Sequence, residues 1–313
     1  MSTTSEVEKM SKMNFIKVHV VLLSLVLLFT TAANASITVE QEPGSVIVPV
    51  RPQRVVVFDY GVLDVLDTLG IQIVGLPKAS LPSYLERYDS DEYVDVGTLF
   101  EPNFERIYEL KPDVILIGGR QLTLFDELNR IAPTVLFSID SANFWPSFRA
   151  NLELLGRIFA QAEVIGERVT VLETKLTALG EQAAASGLRT LILQANDGTL
   201  AVYGPNSRFG IIHQDLRFAP VDEGIVLGTH GMSISFEYLV RTNPDLIFVI
   251  DRAAVVGGSI SAQQVLDNPL VKMTTAAQNS RIVYLNAEAW YVASGGLKAA
   301  EIMLTDIEQA FSK

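Results

Sequence analysis

The chain has 313 residues, 49% hydrophobic and 19% charged, a composition that suits well-packed globular lobes and excludes intrinsic disorder. Its formal net charge of −12 argues against a nucleic-acid partner, whose phosphates need a basic face, although a few local arginines can still reverse the field inside a cleft. There is no cysteine, so disulfides, thiolate metal sites and cysteine nucleophiles are excluded.

In chain order, Lys9, Lys12 and Lys17 come first, then an apolar run at 18–31, then Ala33-Asn34-Ala35. A basic segment, an apolar core and a small-x-small site make a secretory signal peptide over residues 1–35, with cleavage expected after Ala35. The run is shorter than the roughly 20 apolar residues that cross a bilayer. A soluble periplasmic protein is expected, and not a lipoprotein.

Past the leader, the residues 54–59 read as a strand, 62–69 as a helix and 71–75 as a second strand. An internal repeat then sets the architecture. The segment NFERIYELKPDVILIGGR, ending at Arg120, aligns without a gap to SFEYLVRTNPDLIFVIDR, ending at Arg252. Phe104/Phe236, Glu105/Glu237, Pro112/Pro244, Asp113/Asp245, Ile115/Ile247 and Arg120/Arg252 coincide, and a Gly-Thr pair stands upstream of each copy. Each copy predicts a helix, a Pro-Asp turn and a short apolar strand buried on both faces, as in a parallel sheet. The arginine follows the carboxyl end of that strand, the edge where open α/β sheets bind ligands.

Further on, a helix is expected near 124–131 and a strand at 134–138. A helical stretch over about 145–185 follows, with Gly156 as a candidate break near its start. Strands are expected at 190–194 and 282–285, and a last helix at 297–311. The predicted fold is therefore α/β: two Rossmann-like lobes with mostly parallel sheets, 36–141 and 187–313, joined by one long interlobe helix within 142–186.

Five segments are predicted to meet between the lobes. They are GGRQ with Arg120, YGPNSRFG with Arg208, GTHGMS with His230, IDR with Arg252, and EAWYVASGG with Trp290 and Tyr291. Three arginines converging on one cleft call for an anionic ligand, because a guanidinium keeps its charge and donates in a planar fork that suits catecholate and carboxylate oxygens. Structural ion pairing is the competing reading for Arg208 and Arg252, and the duplicated placement of Arg120 and Arg252 weighs against it. His230 lies between glycines; a structural role is the commoner one for a lone histidine, and a neutral imidazole is also a competent ligand for iron. The phenol of Tyr291 is a hard oxygen donor matched to a hard trivalent ion; aromatic packing at a helix start is the alternative for Trp290 and Tyr291. His213 follows apolar residues and reads as packed or capping. No zincin, dinucleotide, P-loop or nucleophile-elbow motif is present.

Together, GTHGMS, IDR, LDNPLV, AAQNSRIVYL and AEAWYVASGG resemble the periplasmic binding proteins of ABC importers that have a rigid helical backbone, and within them the catecholate-siderophore branch. The resemblance spans essentially the whole mature chain. It implies a carrier of ferric siderophore and not an enzyme. No cofactor is expected to be permanently bound, the iron(III)–siderophore being cargo, and the protein is expected to be a monomer that delivers to an inner-membrane ABC permease. It further implies that Arg120, Arg208, Arg252 and Trp290 bind the ligand, and that His230 and Tyr291 complete iron coordination when the siderophore brings only four donors. Glu105 and Glu237, one per lobe, would dock on the permease. A haem or cobalamin carrier of the same architecture is the nearest alternative, and a chelatase-like enzyme a remoter one.

Overall fold

The structure, a computed structural model, describes residues 35–225 and 231–311. From Ser36 onward the chain forms one compact unit. It opens with a hairpin that the sequence reading does not anticipate, β1 (Ser36–Val39) antiparallel to β2 (Val46–Pro49).

The first lobe follows in chain order as β3 (Val55–Val57), α1 (Tyr60–Thr68), β4 (Gly75–Leu76), β5 (Val94–Asp95), α2 (Phe104–Leu110), β6 (Val114–Gly118) and β7 (Thr134–Phe137). Its sheet is wholly parallel, in the order β5-β4-β3-β6-β7. Every residue of β3 and β6 is buried, which is why both read as unbroken apolar runs. The strand expected at 71–75 is reduced to Gly75–Leu76. Residues 69–71 are still leaving α1: Gly70 adopts φ 67° and the Ile71 amide turns back to the Leu66 carbonyl at 2.9 Å.

The interlobe segment contains two helices, α3 (Phe144–Phe159) and the longer α4 (Ala162–Ser186). At about 1.5 Å per residue, α4 alone is long enough to cross between lobes. The break lies at Ala160, which is left-handed at φ 53°, and not at Gly156. Gly156 has another task. A Cβ there would stand 3.1 Å from the Cα of Ala162, so its bare backbone lets α4 leave close against α3. The two helices fold back on each other, with Arg149 paired to Glu173 at 3.1 Å.

The second lobe contains β8 (Arg189–Asn196), β9 (Thr199–Tyr203), β10 (Ala219–Pro220), β11 (Met232–Ile234), α5 (Phe236–Thr242), β12 (Leu246–Asp251), β13 (Ile282–Leu285) and α6 (Leu297–Glu308). The sheet order is β11-β9-β8-β12-β13, with β10 beside the start of β8. β10, β8, β12 and β13 run parallel, whereas β9 and β11 are antiparallel additions at one side.

The sequence repeat is a repeat of structure. α2 and α5 each begin at the phenylalanine and end on a left-handed residue, Lys111 and Asn243. The proline then blocks further helix. The following aspartate turns back on the neighbouring strand: Asp113 accepts from the amides of Gln53 (2.7 Å) and Arg54 (2.9 Å), and Asp245 from the amide (3.1 Å) and Nε (3.0 Å) of Arg189. Alternate residues of β12 enter different cores. Ile247 and Val249 pack with Leu191 and Leu193 on one face. Leu246, Phe248 and Ile250 join a larger buried cluster that also holds Val55–Val57, Leu172 of α4 and Leu304 of α6.

Candidate functional site

The functional side chains gather where strands end. Arg120 follows β6 and Arg252 follows β12, and both are half-buried. Gln121, which is 1% exposed, braces the turn of Arg120: its Oε1 accepts from the Gly118 amide at 3.0 Å and its Nε2 donates to the Leu99 carbonyl. Arg252 Nη1 donates to Asn196 Oδ1 at 2.9 Å, at the end of the adjacent β8. Sequence reasoning missed Asn196; its position at the carboxyl end of a parallel strand was the available signal.

Tyr291 is the centre of the group. Arg252 Nε donates to its phenol oxygen at 2.8 Å. The Arg208 guanidinium lies over the ring, 4.0 Å from its centre, and Nη2 donates to the Tyr291 carbonyl at 3.0 Å. Burial pushes the phenol's pKa up, but the hydrogen bond from Arg252 and the charges of Arg208, Arg252 and Arg120 outweigh it and hold the group below the usual tyrosine value. Arg120 belongs to the first lobe, so its field reaches across to Tyr291 and Arg208 of the second. Burial lowers the pKa of Arg208, with Tyr291 opposing. A cluster of arginines around a phenol whose pKa they lower suits an anionic, oxygen-rich complex of a hard metal ion.

Tyr203 supports this pocket from below and was also missed. It is 2% exposed, its hydroxyl donates to Gln194 Oε1 at 2.7 Å, and its ring meets the edge of Phe209, the neighbour of Arg208. Gly231, at φ 77°, sits on the same ring: a Cβ there would stand 2.8 Å from the ring carbons. Only glycine tolerates both demands. His230 itself lies outside the described residues.

Trp290 requires a correction. It is 1% exposed, and its indole donates to Asp306 Oδ2 at 3.0 Å. The residues Glu288–Val292 form a π-helical turn. That turn commits Trp290 to the core and leaves its neighbour Tyr291 half-buried beside the arginines. His213 is packed, its Nδ1 2.9 Å from the Phe218 carbonyl. Glu105 and Glu237 are both exposed, in the first turns of the equivalent helices α2 and α5.

Two attachments join the lobes close to Tyr291. Before it, Glu288 Oε2 accepts from the amide (3.0 Å) and hydroxyl (2.7 Å) of Ser83. After it, Asp64 of α1, 1% exposed, accepts from the amides of Lys298 and Ala299, both at 2.8 Å, and from the Tyr84 hydroxyl at 3.0 Å. These amides are unpaired donors at the start of α6, where a carboxylate is favoured. Gly61 and Gly295 lie beside this contact so tightly that a Cβ on Gly61 would come 2.8 Å from the Cα of Gly295.

The chain is similar in sequence and fold to several known proteins. The petrobactin-binding protein YclQ of Bacillus subtilis (strain 168) is 39% identical over 268 residues, 85% of this chain and 84% of that protein. Its crystal structure superposes with a TM-score of 0.86 over 89% of this chain and 99% of its own. The periplasmic catecholate-siderophore-binding protein VctP of Vibrio cholerae matches at 36% identity and a TM-score of 0.84, covering 88% of this chain and all of VctP (100%). The siderophore-binding protein BauB, solved with ferric iron and two molecules of acinetobactin, matches at 32% identity and a TM-score of 0.82, over 88% and 99% of the two chains. These relatives are substrate-binding proteins and not enzymes. The family model described as periplasmic binding protein matches residues 55–289, and the chain belongs to that family.

Proposed function

We propose that this protein captures an anionic ferric siderophore of the catecholate type and passes it to an ABC permease for iron uptake. The observation that carries the reading is the ring of positive charge around Tyr291, built by Arg208 and Arg252 of one lobe and reached by Arg120 of the other. Haem and cobalamin carriage is less well suited to three arginines about a phenol of lowered pKa. The petrobactin-binding and catecholate-siderophore-binding relatives described above support the siderophore reading.

In this reading the arginines attract the complex and donate charged hydrogen bonds to its oxygens. Tyr291, together with His230, fills iron positions that a four-donor siderophore leaves open. In this reading the basic and apolar leader over residues 1–35 acts as a signal peptide that exports the carrier to the periplasm. The closed complex docks through Glu105 and Glu237, which occupy equivalent exposed positions on the two lobes and so suit a permease with two-fold symmetry.

Fluorescence-quenching titration with iron(III) tris-catecholate tests the reading. Arg120→Ala, Arg208→Ala and Arg252→Ala are each expected to weaken binding about 10- to 100-fold and to reduce its salt dependence. Full affinity in all three variants would exclude the site. Charge reversal at Glu105 and Glu237 is expected to stop iron uptake in cells and leave the titration unchanged; a loss of affinity would count against their docking role.

A further inference from the structure

Tyr291 sits in the second lobe but is strung between two attachments to the first. On its amino-terminal side, Glu288 holds Ser83 through both the amide and the hydroxyl. On its carboxyl-terminal side, Asp64 holds the start of α6, with Gly61 pressed against Gly295. Tyr291 lies three positions after Glu288, within one π-helical turn. Such turns are wide, locally underwound insertions and recur at functional sites. Tyr291 therefore has two masters. Its phenol oxygen answers to Arg252 and its backbone carbonyl to Arg208, both in the second lobe, while the turn that carries it is fixed to the first. Any separation of the lobes must pull the turn through Glu288 and shift the phenol relative to Arg252.

We propose that the Glu288–Ser83 contact is a cross-lobe tether that positions Tyr291, so that movement between the lobes advances or withdraws its phenol from the bound ligand. The inference rests on the reading above that Tyr291 meets the ligand. It makes Glu288 a positioning residue with no ligand contact of its own. It also gives docking at both lobes a direct route to release, because a partner that parts the lobes draws one donor off the cargo.

The test uses the mature protein and two iron(III) complexes, a bis-catecholate with four donor atoms and a tris-catecholate with six. Glu288→Ala is expected to weaken the four-donor complex about five- to tenfold and the six-donor complex less than about twofold, since only the former needs the phenol. Its charge-transfer band with the four-donor complex should move toward that of Tyr291→Phe. In a Tyr291→Phe background, Glu288→Ala should add nothing. Ser83→Ala, which keeps the backbone donor, should shift the four-donor affinity in the same direction by a smaller factor. Equal losses for both complexes, or a full additional loss in the Tyr291→Phe background, would overturn the tether and leave the site intact. Failure of the wild type to bind either complex, or an unchanged Tyr291→Phe, would instead remove the reading on which the tether rests.

Discussion

The side chain that most repays measurement is Tyr291. Burial alone would raise its pKa, yet its neighbours hold it below the ordinary value, Arg252 by hydrogen bond and Arg208, Arg252 and Arg120 by charge. A spectrophotometric titration of the free protein should therefore show one tyrosine ionising before the rest, absent in Tyr291→Phe and moved upward in Arg252→Ala. If the first ionisation is the same in the wild type and Arg252→Ala, the hydrogen bond does not set it. The pair Trp290-Tyr291 also marks a limit of sequence reading. Both side chains are large, aromatic and placed before a helix, and nothing in their identity says which one faces the cleft. The π-helical turn and the Asp306 acceptor decide it, and both depend on tertiary contacts. Asp64 was hidden for a related reason: it reads as one acid in an apolar helix, and its backbone donors lie more than two hundred residues away.

Among the elements, the helix–turn–strand of the repeat was fully legible, because each part carries its own local chemistry. The helix ends on a left-handed residue, proline forbids continuation, and the strand is apolar without alternation. What the alignment could not say is why the aspartate recurs. It clamps the start of the neighbouring strand in both lobes. Asp113→Ala and Asp245→Ala should each lower stability by about 1 kcal/mol in urea unfolding, with the midpoint moving and the slope unchanged. A neutral result in both would reduce the clamp to a crystal-like detail of geometry without energetic content. The two-helix linker was half legible. Helical spacing marked its extent, but the reversal falls on Ala160, and an alanine in a left-handed conformation has no signature in sequence.

At the scale of the molecule, the lobes are joined through a buried acid. Burial pushes the Asp64 carboxyl up to about 6, against the pull of the Lys298 and Ala299 amides and the Tyr84 hydroxyl, with Asp67 adding to the rise. A carboxyl whose pKa is higher folded than unfolded binds more protons in the folded state, so its stabilising share is complete below its unfolded value and declines as pH rises through the folded one. Between pH of about 4 and 6 the wild type should therefore lose roughly 2 kcal/mol of stability through this group alone. Asp64→Asn should lack that slope. Parallel pH–stability curves for the two proteins would show that the junction does not titrate in this range.

One buried cluster passes from the first sheet, past α4 and α6, into one face of the second sheet. Halves that share their interior shift against each other only by small amounts, and heat should melt them together. A cargo arriving between them meets a mould that needs only small adjustment, so discrimination among chelates comes mainly from the spacing of charges and oxygens. The effort of letting go then falls on whatever grips the carrier from outside.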